Sequence, residues 1–178
     1  HLVQVLGEMT ELDLEAPSPP ADAVASTIMA GIRVGWAWRH RGYGLGASVS
    51  DKHANDMFGA LDQASADLVR AATQAQPDSV AVAFGIRAEM GLGGDRTRLA
   101  GELNALAECG EINIFAALNH MLFVAPKWHG SHDEMWETAR RYDANPHPSF
   151  AAIAARAHIE TWLYDTAMSD AEGPRRAY

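Results

Sequence analysis

The densest group of side chains able to hold a metal or move a proton is His129-x-x-His132, followed by Asp133 and Glu134. A structural zinc ion needs three or four ligands closing a tetrahedron. This pair supplies two at most, so His120 or His158 would have to approach from other helices. The sequence contains no HExxH and no pair of ExxH motifs of the kind a di-iron bundle requires. The histidines therefore read as an elbow that hydrogen-bonds helix ends, and neither a metal nor another cofactor is expected.

Other candidates surround that elbow. Lys127-Trp128 combines a charge with a flat indole face, which suits a recognition corner, although such a tryptophan more often staples neighbouring helices. Trp36, Trp38, Trp136 and Trp162 carry the same two readings. Asn119 and His120 interrupt an apolar run, and buried polar groups need partners. A pocket between helices lined by His120, Trp128, His158 and Trp162 would supply them. The alternative for His158 is a hydrogen-bonded core residue on a different helix face from Glu160. The candidate binding residues are thus Asn119, His120, Lys127, Trp128, His129, His132, His158 and Trp162.

Two glycine-rich stretches resemble phosphate loops only superficially. Gly91-Leu92-Gly93-Gly94-Asp95 and Arg41-Gly42-Tyr43-Gly44-Leu45-Gly46 follow no firm strand and lack the GK[ST] ending, so both read as turns. Cys109, the single cysteine, falls at a helix end, where the negative dipole raises a thiol pKa. It is a poor nucleophile.

These residues need elements to position them. Ala125 to Gly130 separates an apolar helix, Glu111 to Val124, from an amphipathic one in which Ser131 caps and Met135, Trp136, Ala139 and Tyr142 share a face. Upstream, Asp22 opens a helix to about His40 with Val24, Ile28, Ile32 and Gly35/Trp36 as its apolar stripe. Ser50-Asp51 opens the clearest helix, striped by Met57, Phe58, Leu61, Ala64, Leu68, Val69 and Ala72, with Asp56, Asp62, Asp67 and Arg70 off the stripe. Val80, Val82, Phe84 and Ile86 alternate as in a strand, yet strong helices on both sides and no pairing partner favour a helix starting near Pro77. Asp95 begins a helix carrying Leu99, Leu103 and Leu106, and Asn145-Pro146-His147-Pro148 precedes a last one with Phe150, Ile153, Ala157, Thr161 and Tyr164 buried.

The reading is all-α: about six or seven helices stacked as α-hairpins, a degenerate helical repeat returning roughly every 35–40 residues, with a closed helical bundle as the alternative. Residues 1–20 form a lead-in, in which Leu2 to Leu6 and Leu12 to Leu14 could make a short helix or strand. Residues 21–170 form one domain, and 171–178 a flexible tail. His1 in place of methionine implies a processed, trimmed or tagged start.

Charge excludes some partners. With 14 Lys and Arg against 23 Asp and Glu, the chain carries −9, which disfavours nucleic acid and anionic membrane surfaces. No run approaches the ~20 apolar residues of a membrane span. One cysteine permits no internal disulfide, so a cytoplasmic location is expected.

Two segments resemble bacterial, notably actinobacterial, proteins of unknown function related to tetratricopeptide-like repeats. One is Trp36-Ala37-Trp38-Arg39-His40-Arg41-Gly42-Tyr43-Gly44 with the Phe58/Leu61/Ala64/Leu68 helix after it. The other is Pro126-Lys127-Trp128-His129-Gly130-Ser131-His132, with Ala157-His158-Ile159-Glu160 following. The resemblance implies hairpin elbows at W-x-x-R-G and P-K-W-x-G-S. It transfers no active site, and the tetratricopeptide consensus itself does not recur in register. The expected function is a non-catalytic helical-repeat scaffold whose groove binds a protein or peptide with a basic segment. The alternatives are an enzyme or small-molecule binder using the His/Trp pocket, and an immunity or accessory protein that blocks a partner.

Overall fold

A computed structural model describes residues 22–42, 49–110 and 112–176, with side chains through Thr166. The expected lead-in and the Tyr43, Gly44 and Gly46 part of the first glycine turn lie outside the described residues. The described residues form seven α-helices and one 3-10 turn, with no strand among them. The helices are α1 (Ala23–Arg41), α2 (Asp51–Gln74), α3 (Ser79–Leu92), α4 (Arg96–Glu108), α5 (Ile114–Phe123), α6 (His132–Asp143) and α7 (Ala151–Arg176), with Pro148–Phe150 forming the 3-10 turn. Of the expected tail, residues 171–176 continue α7 as helical backbone.

Side-chain caps set the helix starts. The Asp22 carboxylate accepts from the Ala25 N–H at 2.7 Å and Ser50 Oγ from the His53 N–H at 3.3 Å. Asp78 accepts from Val80, Asp95 from Thr97, and Ser131 from Glu134. Each satisfies one of the N–H groups that an α-helix leaves free at its first turn. The Val80–Ile86 stretch is helical: Asp78 caps it behind Pro77, and Val82, Ala83, Ile86 and Met90 are buried at helical spacing. Leu92 ends that helix, and Gly93 (φ 137°) and Gly94 (φ 76°) turn the chain through angles that side chains rarely adopt.

The chain divides into two compact units after Ala116. In the first, α1 lies along α2, α3 packs on both, and α4 packs on α3. Its core gathers Ala30, Val34, Ala37, Met57, Leu61, Ala64 and Ala88, with Trp38 and Leu92 against them. The expected stripe of α1 holds at Ile32, which is buried, and fails toward the helix start. Val24 is 69% and Ile28 42% exposed, whereas Ser26, Thr27, Ala30, Arg33 and Val34 are buried. On α2, Met57, Leu61 and Ala64 are buried as expected, whereas Phe58 and Val69 are exposed and Asp67, expected off the stripe, is 3% exposed. The buried charged residues form an ion pair. Arg33 Nη1 donates to Asp67 Oδ2, and Arg70 Nη1 donates to Asp67 Oδ1 at 2.7 Å. Two guanidinium groups share one carboxylate between the helices, and small residues beside them let the backbones approach. Burial, with the Arg70 charge added, lowers the pKa of Arg33 below its ordinary value.

In the second unit α7 packs on α6, and Phe123, Met121, Met135, Ala139, Ile153 and Ala157 are buried.

Removing one member of a buried pair leaves a charge without compensation. Asp67→Ala should therefore lower unfolding free energy by about 3–5 kcal/mol in urea titration. The double change Arg33→Met with Asp67→Leu should recover most of that loss. A double variant no more stable than Asp67→Ala would show that the pair is not the source.

Candidate functional site

The residues singled out by sequence cluster around the α5–α6 elbow without converging on one another. Backbone bonds close the elbow: Trp128 N–H donates to Ala125 O at 2.9 Å and His129 N–H to Phe123 O at 3.1 Å. Gly130 lies so close to the Val124 carbonyl that a Cβ there would overlap it, which accounts for the glycine. His120 is buried and meets the Tyr142 hydroxyl through Nδ1 at 2.9 Å. Burial, only partly opposed by Arg141, pushes the Tyr142 hydroxyl up to about 12. Half-buried Asn119 stands one residue before it.

The remaining candidates form separate pairs. Lys127 Nζ sits 5.6 Å from the centroid of the Trp128 ring. The His129 ring tilts against Phe123 at 5.0 Å, and His132 meets the edge of Tyr164 at 5.1 Å. His158 is exposed rather than buried in a core and stands edge-on to Trp136 at 4.6 Å, on the opposite side of α7 from buried Glu160. Trp162 is 63% exposed. No three His, Cys, Asp or Glu among the described residues are grouped to hold a metal ion.

A half-open cavity occurs in the first unit, with a volume of about 700 Å³ between α1, α2, α3 and α4. None of the eight residues named from sequence lines it. Ala71, Ala72, Ala75, Ala81, Gly85 and Gly101 wall much of it, so the facing helices present little side-chain volume. Leu68, Val69 and Val82 add apolar surface, and the charged side chains are Asp78, Glu89, Arg98 and Glu102.

The two glutamates differ in how they are held. Glu89 is 6% exposed; its Oε1 accepts the Asp95 N–H at 2.9 Å, and its Oε2 lies 3.4 Å from Arg98 Nη1. That side chain thus ties the Gly93-Gly94 turn to the start of α4. Glu102 makes no hydrogen bond among the described residues. Its carboxyl lies against the α3 backbone at Gly85, where an added Cβ would fall on it. Burial, assisted by the negative charge of Glu89, pushes Glu102 up to about 7. A carboxyl group poised near neutrality inside an apolar cavity can exchange a proton or pair with a cation.

Sequence reasoning passed over Gly85, Glu89 and Glu102. The available signal was the run of alanine and glycine along three successive helices, because such residues leave volume unfilled. Cys109 behaves as expected. Its Sγ lies 3.3 Å from the Pro77 and Ala105 carbonyl oxygens, and burial, Asp78 and Glu108 raise its pKa. The chain matches no known protein family, curated protein or solved structure.

Because the folded state favours protonated Glu102, the stabilisation is present below the unfolded pKa near 4.5 and is lost as pH rises through about 7. Glu102→Gln should match the parent in thermal melts at pH 4 and exceed it at pH 8, by up to roughly 3 kcal/mol. Parallel stability curves across that range would refute the burial of this carboxyl.

Proposed function

We propose that this chain is a non-catalytic binding protein whose first unit takes a small organic ligand in the cavity between α1 and α4. The supporting observation is the cavity: about 700 Å³, within the few hundred to a thousand Å³ usual for small-molecule sites. Its walls are mostly apolar and its charged groups are few, the division of labour by which such sites gain affinity from the body of a ligand and orientation from its polar end.

Of the readings raised by sequence, this is the pocket between helices, relocated from histidine and tryptophan to alanine and glutamate. Residues of four helices line that space, which supports a compact ligand. A basic partner segment, suggested by the net charge of −9, would still find its complement at the glutamate end, through one inserted side chain. The likeness to tetratricopeptide-like proteins bears on the hairpins and names no ligand. No described helix is long and apolar enough to cross a membrane.

Gly101 offers a direct test, since it lines the cavity and a Cβ there meets open space. Gly101→Phe should fill the cavity while keeping the fold, as an exposed helical glycine is a weak helix former in any case. Titration of the parent with a neutral apolar alcohol such as 4-phenylbutan-1-ol should shift amide resonances of cavity residues in NMR spectra, with binding at least tenfold weaker in Gly101→Phe. Saturable binding unaffected by that substitution would place the ligand elsewhere.

A further inference from the structure

We infer that the ligand of the first-unit cavity carries a compact organic cation, a protonated amine above all, at the Glu89–Glu102 end, with an alkyl or aryl body along the alanine wall. The inference rests on the binding reading above and adds the chemistry of the ligand's head.

Charge within the cavity is one-sided. Asp78, Glu89 and Glu102 face a single cation, Arg98. The Arg98 side chain is 63% exposed and reaches Glu89 only at 3.4 Å, so it leaves the Glu102 carboxyl without a partner. Asp78 is occupied as the α3 cap, and Glu89 is bound to the turn. The residues that α1 and α2 contribute to the lining, among them Thr27, Ser65, Leu68 and Val69, bear no charge. Glu102 is therefore the group on which an incoming head would act.

Three kinds of head behave differently there. A carboxylate meets Glu89 and Glu102 as like charges and is repelled. A hydroxyl gains one hydrogen bond and leaves the proton on Glu102. An ammonium supplies the opposite charge that burial has withheld, and the carboxyl ionises as it enters. The proton leaves to solvent, so one cation enters as one proton departs and the charge of the site is conserved. Gly85 gives the carboxyl room to lie against the helix, which leaves the space in front of it open to that head.

Isothermal titration of the full chain with 4-phenylbutylamine, 4-phenylbutan-1-ol and 4-phenylbutanoate tests this, because the three share one body. At pH 7.5 the amine should bind at least tenfold tighter than the alcohol, and the acid weakest. Amine affinity should rise about tenfold per pH unit between pH 5 and 6.5 and level off above the Glu102 midpoint near 7. Comparison of buffers with different ionisation heats should show up to one proton released per amine bound at pH 6. Glu102→Gln should bring amine and alcohol to within about threefold and abolish the pH slope, while Gly101→Phe weakens both. If the alcohol binds as tightly as the amine and Gly101→Phe weakens both, the cationic head is refuted and the cavity remains a binding site. If none of the three binds at millimolar concentration, the binding reading falls and the head assignment with it.

Discussion

Between α2, α3 and α4 the chain carries alanine and glycine at positions where a filled core would carry leucine or phenylalanine, and the first unit takes its character from that shortage of side-chain volume. Helices with small facing residues can approach closely, and the same small residues leave space beside them unfilled. The result is a cavity in the same unit that holds a tightly packed seam between α1 and α2. At Gly85 the shortage becomes a specific contact, since only a missing side chain lets the Glu102 carboxyl rest against α3. The electrostatics of the site follow from that contact, because a group pressed onto a helix loses water before it finds a partner.

Two charged arrangements in the first unit show opposite solutions to burial. Asp67 is surrounded by donors, with Arg33 and Arg70 both directed at it. Glu102 has no donor among the described residues and keeps its proton to near neutrality. The first arrangement fixes two helices side by side. The second leaves a reactive position open toward a space large enough for a guest. Binding sites in small helical proteins often combine such a firm seam with an under-packed flank, since a pocket needs walls that do not collapse.

Local chemistry was the most legible part of the sequence. The caps at Asp22, Ser50, Asp95 and Ser131, and the Gly93-Gly94 and Gly130 corners, announce themselves because capping, positive φ and close backbone approach each depend on single residues. The helical state of Val80 to Ile86 was readable from context. The buried faces of α1 and α2 were readable only in part. Ile32, Met57, Leu61 and Ala64 were found by counting apolar residues, whereas Ser26, Arg33 and Asp67, which score as exterior or neutral, were missed. Glu102 was invisible for a related reason: it looks like any surface glutamate on an amphipathic helix until Gly85, on another helix, is placed opposite. The histidines and tryptophans drew attention by type, yet in the second unit they pair off singly, His120 with Tyr142 and His158 with Trp136.

The shared carboxylate of Asp67 also constrains how this sequence can drift over generations. Loss of Arg70 alone leaves Asp67 still paired with Arg33, so Arg70, which is partly in solvent, is free to vary. Loss of the acid first strands Arg33 in the seam, and an apolar replacement of Arg33 first strands the acid with only its outer partner. Descendants that abandon this arrangement must therefore pass through a weakened ancestor or change both helices together, and positions 33 and 67 should covary wherever relatives of this chain are found.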